Sequence, residues 1–241
     1  MNETTPFEED LLSDIKWREK EFIKIKEDIS VFESKIDKYN DMIINKELDD
    51  TKRLEKEKFE SEMKFFCRLC VPLVYAHWEG FFKYAIRAYL KAISDMDICL
   101  SNLTNEIITY KLDFFMRKLQ GKASFSQKKE FINEYSNKIS SVVKFSKGEL
   151  KIDTKSNLNY EVTNELCEKF VIDNKKFLEN QVIINKLVSQ RNSICHGENS
   201  NVVNIQQIKE YIEVVLNLFY VISQQLSEKI KKQYFLKEVV D

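Results

Sequence analysis

The sequence predicts an all-α protein, an antiparallel helical bundle with a long N-terminal helix or helical hairpin. Three observations lead there. Only four glycines and two prolines occur in 241 residues, which leaves little material for β-turns. Apolar residues recur at three- and four-residue steps over long stretches at both ends of the chain. A hydrophobic content of 43% suffices for a sizeable core, as one domain or as a domain plus an elaboration. The expected organisation is an acidic helix or coiled-coil extension over residues 1–50, then a helical domain over 51–241 with a Lys-rich insert at about 100–160.

Leu11, Ile15, Phe22, Ile25, Ile29, Phe32, Ile36, Tyr39 and Ile43 form one heptad seam, interrupted where Arg18 occupies it. Such a helix must lay its stripe on the rest of the chain or on a second copy. "KELDDTKR", residues 46–53, is a polar break at which the chain either reverses into a hairpin or runs straight through. From Phe59 to about Ser94 apolar residues cover more than one face, which marks a central buried helix, with a kink or restart expected at Pro72. Cys67 and Cys70 have the spacing of a metal knuckle but no second Cys or His pair nearby, so core packing is expected.

Two amphipathic helices are expected at about 104–119 and 127–143, and residues 146–160 read as a loop or short hairpin. "KKFLENQVIINKLVSQRNSICHG" reads as a helix ending at Gly197, a residue suited to the left-handed position after a helix. The last helix opens at Asn204, with Gln207 placed to complete a capping box, and carries a seam from Ile205 to Leu226.

Charge is unevenly spread. Residues 1–62 hold 12 basic and 19 acidic side chains, whereas residues 111–155 hold 11 and 5. That basic island would attract a polyanion, and Lys122, Lys128 and Lys129 are its candidate RNA-binding residues; a solvated Lys-rich loop without a partner is the plain alternative. No apolar run approaches a membrane span, and "MNETTPFEED" lacks the basic and apolar segments of a signal peptide, so a cytoplasmic protein with no membrane partner is expected. The odd count of five cysteines fits free thiols in a reducing compartment.

"QRNSICHGEN", residues 190–199, is either an ordinary helix terminus or the acid/base end of an active site. Asn192 and His196 are four apart and share a helix face, so Asn192 can orient the imidazole; Arg191 and His196 diverge by about 140°. A second copy of the helix would complete a cationic site more easily than one chain alone. A helix C-terminus also favours imidazolium, which suits proton transfer near neutrality. Glu79, in "YAHWEGF", needs a partner if buried: Arg191 or His196 would make it a catalytic candidate, and Lys83 four residues on would make it an intrahelical pair. His77 reads as structural, and Trp78, Phe81, Phe82 and Tyr84 as core or interface.

"RNSICHGE" resembles the R-x4-6-H signature of the HEPN ribonucleases, and "LVYAHWEGFFKYAIRAYL", residues 73–90, is similar to the helix of one HEPN branch that carries an A-H-W-E-G-F-like motif. Cys195 stands where alanine is often seen. The resemblance covers roughly residues 60–235, is thin over 100–160 and leaves the acidic N-terminal helix outside. It implies a HEPN-like bundle that dimerises so that Arg and His of both copies line one cleft. The implied activity is that of an endoribonuclease that cleaves single-stranded RNA by 2′-hydroxyl attack, with no metal and no cofactor. His196 would be the general acid/base, Arg191 would stabilise the transition state, and Asn192 would position the ring or the phosphate. A toxin or antiphage-defence effector, held by a regulatory protein partner such as an antitoxin or defence-system component, is the expected context. A non-catalytic HEPN-like interaction module is the alternative.

Overall fold

The computed structural model describes residues 4–45, 49–198 and 202–237. Among them are eight α-helices: α1 (Pro6–Ile44), α2 (Asp50–Asp95), α3 (Asn105–Arg117), α4 (Phe125–Ile139), α5 (Tyr160–Phe170), α6 (Lys175–Glu179), α7 (Gln181–Cys195) and α8 (Ile205–Lys231). No strand forms in the described residues. Two isolated bridges, Cys99 with Val142 and Leu103 with Leu236, are the nearest approach.

The N-terminal seam folds as its spacing dictates. Leu11, Ile15, Arg18, Phe22, Ile25 and Ile29 are the buried residues of α1. The chain then reverses, because Phe32 meets Phe59 and Phe66, Tyr39 meets Phe59, and Phe22 meets His77. These pairs run in opposite directions along α1 and α2, so the two helices form a hairpin. Asp49 opens α2 by accepting from the Lys52 N–H at 2.8 Å.

Helix α8 lies against both. Phe219 stacks on Phe22 of α1 and packs 4.4 Å from the ring of Phe81 of α2. Lys209 pairs with Glu33 and Lys231 with Glu8, so α8 runs antiparallel to α1 and its N-terminal end lies short of the C-terminal end of that helix. This explains why the seam is fully buried through Ile29, half-buried from Phe32 to Tyr39 and exposed at Ile43. The hairpin tip has a two-helix contact where the body has three or more.

Two expectations need correction, and one helix appears where none was read. Helix α2 continues through Pro72 without a restart, one of the two outcomes expected there. The proline is half-exposed between the exposed Leu69 and Leu73, while the buried Cys67, Cys70, Val71, Val74 and Tyr75 hold the turns on either side of it. The helix expected from Lys175 to Gly197 is two helices, because Asn180 leaves helical geometry and donates its side-chain amide to the Lys176 carbonyl at 2.9 Å. Helix α5 follows directly on the 146–160 loop and ends on Val171 in the left-handed region, φ 52°, where a glycine would have announced the stop.

Candidate active site

Helix α7 ends in a Schellman turn. The Glu198 N–H reaches the Ser193 carbonyl at 3.0 Å and the Gly197 N–H reaches Ile194 at 3.1 Å, with Gly197 at φ +79° as its position requires. This turn fixes His196 as the last capping residue, exposed, with its backbone N–H on the Asn192 carbonyl at 2.9 Å. Among the described residues the imidazole makes no hydrogen bond. It borders a polar groove of about 520 Å³ together with Asn192, Ser193, Glu198, Asn159 and Asn185.

Arg191 is held on three sides. Its guanidinium lies 3.9 Å from the centroid of the Tyr75 ring, Nη1 donates to Asn192 Oδ1 at 2.8 Å, and Nη2 donates to the Ser156 carbonyl at 2.9 Å. Asn192 in turn donates Nδ2 to Asn157 Oδ1 at 2.8 Å. Among the described residues Asn192 makes no hydrogen bond to the imidazole; its amide bonds Arg191 and Asn157 instead. The groove that His196 lines is not lined by Arg191, in keeping with their divergence around the helix.

The loop that receives Arg191 is fastened to α2. Tyr75, Trp78 and Glu79 lie one turn apart on one face. The Leu158 N–H donates to the Tyr75 hydroxyl at 2.9 Å, Trp78 Nε1 donates to the Leu158 carbonyl at 2.9 Å, and Thr154 Oγ1 donates to Glu79 Oε1 at 2.5 Å. Glu79 also pairs with Lys83 at 3.1 Å. It therefore meets Lys83 and the loop, while Arg191 and His196 are met by neither of its oxygens. Between these anchors Lys155 and Ser156 both adopt positive φ, 53° and 54°, an uncommon conformation for residues with a side chain. The anchors hold the loop so that the Ser156 carbonyl faces Arg191.

The rest of the YAHWEGF stretch receives α1. Arg18, buried in the seam, binds Asp14 at 2.6 Å, approaches Nδ1 and the carbonyl of His77 at 3.4 and 3.3 Å, and lies 4.5 Å from the Trp17 ring centroid. Gly80 leaves room for it: a Cβ there would stand 3.1 Å from Arg18 Nη1. His77 is buried with Nε2 2.8 Å from Glu21, and burial holds its pKa below the usual histidine value against the pull of that carboxylate. Trp78, Phe81 and Phe82 are core, and Tyr84 is half-buried.

Lys122, Lys128 and Lys129 are exposed, in and after the turn that leads into α4. Cys67 and Cys70 are buried in the core as packing groups, and burial pushes their thiols up to about 11 and about 12. Sequence reasoning missed Tyr75, Thr154, Ser156 and Asn157. A signal existed for Tyr75: a hydroxyl on the same face as Trp78 and Glu79 of a buried helix needs a partner. The 154–157 loop has no periodicity from which its contacts could be read.

No helix in the described residues is long and apolar enough to cross a membrane. No curated protein and no solved structure matches the chain. The RiboL-PSP-HEPN family model matches residues 13–228. The match begins inside α1, so the helix that the two motifs left outside the resemblance lies within the family region, as the contact of Arg18 with His77 and Gly80 explains physically. With its helical bundle and a family match over most of its length, this chain belongs to the RiboL-PSP-HEPN family of the HEPN superfamily.

Proposed function

We propose that this protein is a HEPN-type endoribonuclease that cleaves single-stranded RNA without a metal, by attack of a ribose 2′-hydroxyl on the adjacent phosphate. The observation that carries the reading is the end of α7, where a guanidinium held by Tyr75, Asn192 and Ser156 stands on the same last turns as an exposed imidazole. His196 moves the proton to or from the 2′- and 5′-oxygens. Arg191, its guanidinium fixed in place, offsets the charge that grows on the phosphorane; a pre-fixed donor of this kind contributes most because it need not reorganise. Asn192 and Glu79 are positioning residues, the first tying Arg191 to Asn157 and the second tying Thr154 to α2.

A homodimer fits the same reading. Phe65, Leu69 and Leu73 form an i, i+4, i+8 stripe on α2 that is 63%, 56% and 41% exposed. Arg68, in the same stretch, donates to the Glu198 carbonyl at 2.8 Å, so the stripe borders the His196 turn. A second copy docked there would bring its own terminus towards the first. In this account the protein is a toxin or antiphage-defence effector, and a regulatory protein partner restrains it.

The second reading, a non-catalytic interaction module, is favoured by the three structural contacts of Arg191. Incubating the purified protein with total RNA in EDTA separates the two. Cleavage with 2′,3′-cyclic phosphate ends supports the nuclease, and intact RNA supports the module.

A further inference from the structure

We propose that the solvent face of α4 is a second binding site for single-stranded RNA, outside the Arg191–His196 terminus; the choice of RNA as ligand rests on the endoribonuclease reading. A capping box between Ser124 and Gln127 starts α4 at Phe125. At 100° per residue, Phe125, Lys128, Lys129, Ile132 and Tyr135 fall within an arc of about 120°. Helix α4 has no buried residue, and this arc is its outer side: Phe125 is 82% exposed and Ile132 58%. An amphipathic helix ordinarily turns such a stripe inward, so an exposed one marks a surface meant for a partner.

Charge selects the partner. The two carboxylates of α4 lie on the opposite side, Glu130 paired with Lys118 at 2.8 Å and Glu134 with Lys138 at 3.6 Å. The outer arc carries lysines alone. Among the described residues Lys122, Lys128 and Lys129 make no ion pair, and Phe125 has no ring or cation partner. Free cations interleaved with an open aromatic ring are what a single strand requires, phosphates on the lysines and a base on the ring.

The position suits an extended strand. Arg117 and Gln120, at the end of α3, border one cavity with Asp153 and Lys155, which directly precede Ser156 and Asn157 at the Arg191 site. From Gln120 to Phe125 is five residues, at most roughly 18 Å of chain. A strand leaving the catalytic terminus can therefore reach the first turn of α4.

The test uses full-length protein carrying His196→Ala, so that the probe survives, and a fluorescent 20-nucleotide oligouridine. Phe125→Ala is expected to weaken its Kd about fivefold or more, the loss of one base–aromatic stack. The double variant Lys128→Ala/Lys129→Ala is expected to flatten the slope of log Kd against log salt by about 1.4. Circular dichroism should be unchanged, since these side chains are exposed. Unchanged Kd and slope in both variants overturn the site, as a face that serves an acidic protein would produce, and so does absence of oligouridine binding by the parent. If wild-type protein leaves RNA intact while both binding losses appear, the nuclease reading fails and this site stands. Cleavage with unaltered binding in the variants removes this site alone.

Discussion

Changing Tyr75 to Phe removes one oxygen from a place where the structure uses it. The hydroxyl accepts the Leu158 N–H at 2.9 Å, and Tyr75 and Leu158 are 3% and 0% exposed, so no water replaces the lost partner. An orphaned buried donor costs about 1–3 kcal/mol, which for a chain of this length lowers Tm by roughly 2–12 °C. The phenyl ring keeps its place 3.9 Å beneath the Arg191 guanidinium, so the cation–π contact survives. Tyr75→Leu removes that contact as well, and should cost about a further 0.5–2 kcal/mol. The hydroxyl also acts on the site, because Leu158 is two residues from the Ser156 carbonyl that orients Arg191. Urea denaturation and single-turnover cleavage of a labelled RNA, measured on both variants, separate the effects: Tyr75→Phe should lose stability and some cleavage rate, and Tyr75→Leu more of both. Tyr75→Phe with wild-type stability would refute the reasoning that this hydroxyl anchors the loop.

Other consequences can be measured directly. Arg18→Ala should lower the free energy of unfolding by about 2–3 kcal/mol in urea titrations, the lower end for a broken buried pair because Asp14 keeps partial access to water, and a change below about 0.5 kcal/mol would contradict the role given to Arg18. His77, whose pKa burial holds below the ordinary value of 6.5, binds its proton more readily unfolded than folded; stability should therefore fall as pH drops through about 6.5, and His77→Gln should flatten that part of the profile. Leu69→Glu, in the exposed α2 stripe, should turn a dimer into a monomer by light scattering, and a wild-type monomer at micromolar concentration would remove the dimer from the account.

The long elements were legible because each carries its own signal. The α1 seam from Leu11 to Ile29, including Arg18 at its interruption, is the set of positions of α1 that the structure buries, and Gly197 and the Asn204–Gln207 capping box end α7 and begin α8 as their chemistry predicts. Local rules failed where a distant contact overrides them. Pro72 sits inside one continuous helix because α1, α7 and α8 pack on α2 and buried residues hold the turns on either side of it. Helix α5 stops at Val171, a residue that predicts no stop.

At the candidate site the sequence pointed to the end of α7 and not to what surrounds it. Arg191 and Asn192 were visible by spacing, yet their partners Ser156 and Asn157 are about 35 residues away in a loop of irregular backbone. Glu79 shows the same limit. Its need for a partner follows from burial, but the choice of Thr154 and Lys83 over Arg191 depends on where that loop lies. The A-H-W-E-G-F-like stretch becomes intelligible only with both neighbours in view: His77 and Gly80 receive Arg18 of α1, while Trp78 and Glu79 hold the loop that orients Arg191.

The central claim is most directly tested by comparing wild-type protein with His196→Ala on one end-labelled single-stranded RNA in EDTA, with the ends of the products mapped. His196 is exposed and its ring bonds to nothing in the described residues, so the variant should fold like the parent. The account predicts fragments ending in 2′,3′-cyclic phosphate from the wild type and intact RNA from His196→Ala. Equal cleavage by the two proteins, or products ending in 3′-hydroxyl, would contradict it.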